Sequence, residues 1–379
     1  MNKNFTVALF SFALIASILS MVSTAQAGIK VYQEGDKFVE IGGRIQLQYH
    51  SEKPDKGESK DKLFFRRLRP YIAGSLFKDW KGKFQWDMGK SDIAVKDAYM
   101  QYKGIKNMKV TIGNAKFPFS REALTSSKKQ QTVERTFVGD HNYGTPSRNV
   151  GIHLAGHNND KKITWGFSVA NASIDPDNSK LDFDTPVQFD KGKDFSDGWM
   201  YGGRVDFHPF GHLKFSQGAF NPNLKLTVGA AAFSWANDND NLDPTRSKKD
   251  VDSVQGFEIS SALRVAGLSV DAEYNLFKSK LVESGITGGL YSNSATDLKN
   301  WAIKGGYMVM PKKLELVLGY QLQDADNYEK EWTRSEYGLN WFIKKQKIKT
   351  QITYRINEDK KGIAGKNEDE LFVQVQYVF

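Results

Sequence analysis

The longest connection between predicted strands carries side chains suited to binding an anion. Residues 115–149 read AKFPFSREALTSSKKQQTVERTFVGDHNYGTPSRN. The hydroxyls of Ser126 and Ser127 can donate hydrogen bonds, Lys128 adds an ammonium group, and the planar guanidinium of Arg135 matches the oxygens of a phosphate group. A structureless run longer than about 15 residues is usually functional or disordered. These residue types point to an oxyanion site on the loop.

Catalytic chemistry has no comparable signature. The six histidines are His50, His141, His153, His157, His208 and His212. They show no HExxH spacing, and the chain has no GxSxG motif. We therefore expect no enzyme activity, no cofactor and no metal site.

Apolar and polar residues alternate with a period of two along most of the chain, which is typical of β-strands with two different faces. Ile41, Ile45 and Tyr49 alternate with Arg44 and Gln46, and the last nine residues read LFVQVQYVF. Sixteen such stretches can be counted, and the segments between them lack a convincing helical period. The sequence predicts an all-β chain of sixteen strands.

The predicted connections alternate between long polar loops and short turns. Transmembrane β-barrels have this asymmetry, with short periplasmic turns and long extracellular loops. The predicted fold is therefore a transmembrane antiparallel up-and-down β-barrel, in which the terminal strand pairs with the first so that no backbone edge meets lipid. Two connections depart from the pattern, since the outer one near residues 90–93 is short and the inner one at residues 209–223 is long.

The N-terminal residues indicate export from the cytosol. Residues 1–27 combine Lys3, an apolar stretch and a small-residue site at Ala25 and Ala27, which together predict a secretory signal peptide. An N-terminal membrane anchor is the alternative, although the stretch is short for a span of about 20 residues. Residues 28–379 would then form the barrel, with residues 115–149 as its constriction loop.

Charge favours anionic partners without settling which ones. The formal net charge is +9, mean hydropathy is −0.52 and cysteine is absent. An exported chain rarely meets nucleic acid, so we expect no nucleic-acid partner. The polar face predicted to line the lumen is mixed in sign, so net charge alone does not make the lumen anion-selective. Its predicted cations are Arg44, Arg67, Arg69, Lys83, Arg204, Arg264, Lys349 and Arg355, and its predicted acids are Glu40, Asp87, Asp97, Asp206, Glu258, Asp271, Glu273 and Glu336.

Four motifs of the chain are distinctive. They are FRRLRPYIAGSLFKDWKGKFQWD at 65–87, KDAYMQY at 96–102, VTIGNAKFPFSREALTSSKKQQTVER at 110–135, and the aromatic terminal strand. Together they resemble the phosphate- and polyphosphate-selective porins of bacterial outer membranes. The resemblance implies a trimer of sixteen-stranded barrels in outer-membrane lipid. It also implies passive passage of small anions, with phosphate or polyphosphate as the expected solute.

The same resemblance implies roles for individual residues. Arg66, Arg67, Ser126, Ser127 and Arg135 would line the narrow site, with Asp97 as a nearby acidic partner. Phe379 would be part of the signal that the barrel-assembly machinery reads. Strict alternation places Arg67 and Arg69 on the inward face, so Arg66 needs a β-bulge or a position at the upper rim to point inward.

Other functions remain open from the sequence. Mixed wall charge and many aromatic residues also suit a general or sugar-admitting porin with little anion selectivity. The loop at 115–149 could instead lie across the outer face as a solvated basic segment. A structural barrel or adhesin that binds divalent ions through the acidic loop at 175–197 is a third class, although that loop lacks EF-hand order.

Overall fold

The computed structural model describes residues 28–89, 93–175, 177–184, 196–238 and 249–379. The predicted signal peptide therefore lies outside the described residues, as does most of the acidic loop. Within them the strands are β1 Ile29–Glu34, β2 Lys37–Gly42, β3 Arg44–Pro54, β4 Lys60–Leu68, β5 Tyr71–Phe77, β6 Trp80–Asp87, β7 Ala94–Tyr102, β8 Met108–Lys116, β9 Arg148–His157, β10 Ile163–Ile174, β11 Phe183–Asp184, β12 Ser196–Phe207, β13 Lys225–Asn237, β14 Val251–Val265, β15 Leu268–Leu281, β16 Ala295–Met310, β17 Leu314–Asp324, β18 Trp332–Lys344, β19 Ile348–Glu358 and β20 Glu368–Val378.

Helical structure in the described residues is confined to short pieces. Among these residues the one α-helix, α1 Arg121–Leu124, is accompanied by the 3₁₀ turns Ser127–Lys129, Phe137–Gly139 and Lys360–Gly362. No helix in the described part of the chain is long and apolar enough to cross a membrane.

The sheet closes on itself, which confirms the predicted antiparallel up-and-down β-barrel. Strands that are neighbours in the sheet pair antiparallel, and β20 pairs with β3 to seal the sheet. Beyond the last ladder pair, the N–H of Gly43 donates to the carbonyl of Phe379 at 2.9 Å, and the N–H of Phe379 donates back to Gly43 at 3.1 Å. The seam therefore has no unpaired edge between the first and last spans.

The described residues contain twenty strand segments rather than the sixteen expected. Two long spans are interrupted, one at Gly43 between β2 and β3 and one at Arg69-Pro70 between β4 and β5. In addition, β1 pairs only with β2, and the two-residue β11 pairs only with β10. Counting each interrupted pair once, and leaving β1 and β11 aside, sixteen spans surround the lumen.

The alternation of the sequence becomes the two faces of the wall. Outward-facing apolar side chains are exposed along the spans, and they include Ile72, Phe84, Met100, Ile152, Phe167, Val205, Phe257, Ile303, Leu318, Tyr337 and Trp341. The inward positions between them carry polar and charged groups that are buried inside the barrel, such as Gln46, Arg204, Glu258 and Gln351. Lipid on one side and a hydrated lumen on the other explain this pattern.

The lumen is unevenly filled. The lumen loop, residues 117–147 between β8 and β9, lies inside the barrel, and one end of it packs into an apolar cluster against β10 to β16. This cluster includes Phe117, Phe119, Ile174, Phe183, Phe233, Trp235, Phe277, Tyr291 and Leu298. Open space therefore lies mainly beside the opposite wall.

Candidate functional site

The lumen loop is anchored by hydrogen bonds from inward-facing wall residues to its backbone. The N–H of Glu122 donates to Glu273 at 2.9 Å, and the N–H of Phe137 donates to Gln321 at 2.9 Å. The ammonium group of Lys349 donates a hydrogen bond to the carbonyl of Gln130, also at 2.9 Å. The amides of Asn340 and Gln351 donate to the carbonyl of Gln131. The wall thus supplies partners for a loop backbone that water cannot reach.

A buried ion pair holds the helical start of the loop. The ammonium group of Lys304 on β16 lies 2.9 Å from Glu122 and 2.7 Å from the hydroxyl of Thr132. Burial alone would raise the pKa of Glu122, but Lys304 and the hydroxyl of Thr136 more than offset this effect and lower it. Glu122 is therefore ionised and bridges two parts of the loop to the wall.

Arg66 and Arg67 hold the loop through Glu134. The ladder between β3 and β4 shifts between Gln46 and Leu47, and this bulge turns Arg66 inward, as its proposed role requires. Arg66 donates two hydrogen bonds to Glu134, the longer at 3.0 Å, and Arg67 lies 3.8 Å from the same carboxylate. Although burial would raise the pKa of Glu134, Arg66 and Arg67 bring it well below its usual range.

The other predicted residues separate into two groups. Arg135 donates to the carbonyls of Ala123 and Thr125, and Arg69 donates to Asp87 at 2.6 Å. Ser127 is buried, and its hydroxyl has no hydrogen-bond partner among the described residues. Like Arg66 and Arg67, these three residues lie outside the lining of the main cavity.

Ser126, Lys128 and Asp97 do line the main cavity. Its volume is about 1000 Å³, and it extends along β5 to β10 toward the end of the barrel that bears the short turns. Arg44, also predicted to face inward, lies on the same cavity and donates to the hydroxyl of Ser126 at 3.3 Å.

The cavity lining is strongly basic. Its ten cationic residues are Arg44, Lys81, Lys83, Lys103, Lys109, Lys116, Lys128, Arg148, Arg204 and Lys214, and its three acidic ones are Glu40, Asp97 and Asp206. Each of these acids already has a partner: Asp97 accepts from Lys83 and Arg148, Asp206 accepts from Arg204, and Glu40 accepts from the hydroxyl of Tyr71. The described lining therefore presents an excess of positive charge to a solute.

Several acidic residues that the sequence placed on the lumen wall form ion pairs with arginines of the wall. Glu258 accepts from Arg204 at 2.8 Å, and Asp271 lies 2.6 Å from Arg264. Glu336 accepts from Arg355 at 2.7 Å. These carboxylates are neutralised by ion pairs within the wall and are not part of the cavity lining.

Sequence reasoning missed several lysines of the lining. Lys81 shares the inward face of β6 with the predicted Lys83, so the period of two contained this signal. Lys103 lies in a short turn, Lys116 ends β8, and Lys214 lies in the long inner connection. For these three residues the period of two did not predict that the side chain faces the lumen.

A closed barrel with an apolar exterior, a polar lumen and an inserted loop is the architecture of outer-membrane β-barrel porins, and it indicates the bacterial outer membrane as the location. Residues 39–209 match the model of a family described as phosphate-selective porin O and P. This match confirms the resemblance seen in the sequence motifs. The fold and the match to this family model point to a channel rather than an enzyme.

Individual relatives are distant. Porin O of Pseudomonas aeruginosa is 28% identical over 152 residues, which is 33% of this chain and 35% of Porin O. The chain thus matches about a third of that relative's length. An uncharacterized protein of Aquifex aeolicus is 23% identical over 365 residues, covering 85% of this chain and 82% of that protein.

Solved porins share the fold. An anion-selective porin from Comamonas acidovorans superposes with a TM-score of 0.60 at 16% identity, covering 90% of this chain and 99% of that one. At this identity, the likeness is evidence for the architecture alone.

Proposed function

We propose that this porin is a passive channel favouring small anions, with phosphate or polyphosphate as the preferred solutes. The observation that carries the proposal is the composition of the described cavity lining. It has ten cationic residues and three acidic ones, and each of these acids already has a partner. The family match supports the same class of solute.

The physical basis is local concentration followed by weak binding. Clustered cations in a narrow passage with low-dielectric walls raise the local concentration of anions. Hydrogen bonds from charged groups, worth about 1.5–3 kcal/mol each, replace part of the lost hydration. Desolvation of the ion offsets much of this gain, so the anion can leave again.

The lining assigns different roles to the predicted residues. Arg44, Ser126 and Lys128 are proposed to contact the anion, because all three lie on the cavity. Arg66 and Arg67 are proposed to fix the shape of the constriction through Glu134.

Selectivity is tested by reversal potentials across a planar bilayer under a KCl gradient, followed by titration of phosphate against chloride. We expect an anion-directed potential and a chloride current that phosphate inhibits in a saturable manner. The double substitution Arg44→Gln with Lys128→Gln should reduce both effects, whereas Lys312→Gln in an exposed turn should not. A near-zero or cation-directed potential in the unmodified protein would overturn the proposal.

A general or sugar-admitting porin is the second candidate. Tyr71, Tyr99, Trp165 and Phe215 also line the cavity, and aromatic faces suit the apolar faces of neutral sugars. Swelling of liposomes in maltose or sucrose at rates similar to those in anionic solutes of equal size would favour this candidate.

The strand lengths support assembly into a trimer. β6 to β8 have eight or nine residues, whereas β14 to β16 have 14 to 16. At about 3.3 Å per residue and a tilt of about 40°, the short strands rise about 20–23 Å, less than the apolar band of about 25 Å. A neighbouring copy would cover this low wall better than lipid.

The remaining features of the proposal concern export. The short turns would face the periplasm, residues 1–27 would be removed, and Phe379 would be read by the barrel-assembly machinery. Cross-linking of the purified protein in detergent tests the trimer, and N-terminal sequencing of protein from outer-membrane fractions tests cleavage before Gly28.

A further inference from the structure

The long inner connection, residues 208–224 between β12 and β13, folds into the barrel from the turn end. We call it the inner turn. Other connections at this end are short, such as Ala266-Gly267 between β14 and β15. Gln217, Gly218 and Ala219 are buried in the lumen. Such a length has no use in merely joining two adjacent antiparallel strands.

The inner turn is joined to the tip of the lumen loop by a reciprocal pair of hydrogen bonds. The N–H of Gln217 donates to the carbonyl of Lys129 at 3.1 Å, and the N–H of Gln131 donates to the side-chain oxygen of Gln217 at 2.8 Å. Gln217 is 3% exposed. One glutamine therefore satisfies a donor and an acceptor on the segment that carries Lys128.

The wall fixes the inner turn in this position. Arg264 donates to the carbonyl of Ser216 at 2.8 Å, and the amide of Gln346 donates to the carbonyl of Gln217 at 3.3 Å. Phe220 packs edge-on against Phe342, with 4.9 Å between ring centroids. The inner turn that binds the tip of the loop is thus itself held in place by the wall.

Phe215 places an aromatic face between two buried cations. Its ring centroid lies 5.4 Å from the guanidinium of Arg121 on the lumen loop and 5.7 Å from that of Arg204 on the wall. Cations are attracted to the negative face of an aromatic ring at such distances. Because Phe215 also lines the main cavity, the inner turn forms part of its surface.

Lys214 brings a positive charge to the same place. It is exposed within the lining of the main cavity, one residue before Phe215. Partial burial, together with repulsion from Lys214, lowers the pKa of Lys129. Lys214 therefore acts electrostatically on Lys129 at the loop tip.

We propose that the inner turn is a second element of the constriction, in which Gln217 positions the tip of the lumen loop and Lys214 is an additional anion-contacting residue. This inference deepens the proposed function and depends on it for the role of Lys214. The constriction is then built from both ends of the barrel.

The positioning role is tested with Gln217→Ala, and with Asn223→Ala as a control at an exposed position of the same turn. We expect Gln217→Ala to raise single-channel conductance and open-channel noise, because the tip loses two hydrogen bonds, while heat-modifiable migration in SDS gels stays that of a folded barrel. Folded Gln217→Ala channels with unchanged conductance and noise would refute this role.

The charge role is tested with Lys214→Gln, which leaves the buried contacts in place, and with Lys214→Arg as the charge-conserving variant. We expect Lys214→Gln to lower the anion-to-cation permeability ratio by about two- to fivefold and Lys214→Arg to retain it. Equal ratios for the unmodified protein and Lys214→Gln would refute the role of Lys214.

Failure of the proposed function gives a different result. A channel without anion preference in the unmodified protein overturns the anion-selective function and with it the role of Lys214. The effect of Gln217→Ala on conductance and noise is measured without reference to selectivity, so the positioning role stands or falls on its own data.

Discussion

At the residue scale, the structure separates charges that hold the lumen loop from charges that face a solute. Arg66 and Arg67 share Glu134, whereas Arg44 and Lys128 line the open cavity. Both pairs are basic residues near the same loop. They differ in their contacts and not in residue type, since one pair binds the loop and the other faces the open cavity.

Glu134→Gln should weaken the loop without weakening anion preference. Removing one partner of a buried ion pair costs about 3–5 kcal/mol, so we expect a lower unfolding temperature in detergent, measured by circular dichroism. Glu331→Gln, at an exposed position, is the control. Unchanged stability together with lower anion selectivity would contradict this assignment.

The lowered pKa of Lys128 predicts that anion selectivity depends on pH. Burial and the nearby Arg44 lower its pKa to about 8, so the side chain is charged below this pH and becomes neutral above it. We expect anion selectivity to fall as pH rises from 7 to 9.

Reversal potentials measured across that range provide the check. Lys128→Arg keeps its charge throughout, so it should show a smaller decline than the unmodified protein. Identical pH profiles for the two proteins would rule out Lys128 as the titrating group.

The sequence predicted only part of the candidate site. Ser126 and Lys128 were named because hydroxyl and ammonium groups suit an anion, and both line the cavity. The carbonyl contacts of Arg135 were not predictable, because an alternating pattern orients strand residues and says nothing about how a loop folds back on itself.

At the scale of elements, the lumen loop depends on the wall for its shape. Its one α-helix has four residues, and many of its polar backbone contacts come from strands distant in sequence. An element this short cannot hold a helix by itself. The loop is therefore a product of the barrel that surrounds it.

Lys304→Met should release one end of the lumen loop. It leaves Glu122 buried without its ammonium partner, a loss of about 3–5 kcal/mol in the free energy of docking. We expect noisier single-channel currents and faster cleavage within residues 117–147 by a protease added to folded protein. Lys312→Met should change neither quantity, and equal cleavage rates for the two variants would contradict the proposed anchor.

The strands were largely predictable, and the interruptions were not. Period-two alternation located the spans because each has one apolar and one polar face. The breaks at Gly43 and Arg69-Pro70 keep the overall direction of their spans, so the pattern continues through them. The inner turn was noticed for its length, but its insertion into the lumen depends on partners such as Arg264 that only the fold brings near.

At the scale of the whole molecule, stability depends on closure between the first and last spans. Gly43 provides both a backbone hydrogen-bond pair with Phe379 and room for the Phe379 ring, since a Cβ at Gly43 would approach that ring to 2.8 Å. The seam therefore combines hydrogen bonding with close packing.

Gly43→Ala should destabilise the closed barrel by about 1–3 kcal/mol through overpacking at the seam. Gly82→Ala is the matched control, because a Cβ there meets no atom within 4 Å. The temperature at which the folded band is lost in SDS gels provides the measurement. Equal temperatures for both alanine variants would show that the seam tolerates the added methyl group.

The anchoring of the lumen loop also affects the cell during biogenesis. A freshly inserted cylinder whose loop has not yet docked would be a wide bore that leaks antibiotics and detergents. Glu122 and Glu134 would then be unpaired, together with Lys304, Arg66 and Arg67 of the wall. Docking of the loop would narrow this bore, so a slow-docking variant should sensitise its host to bulky toxic compounds before any growth defect on limiting nutrients appears.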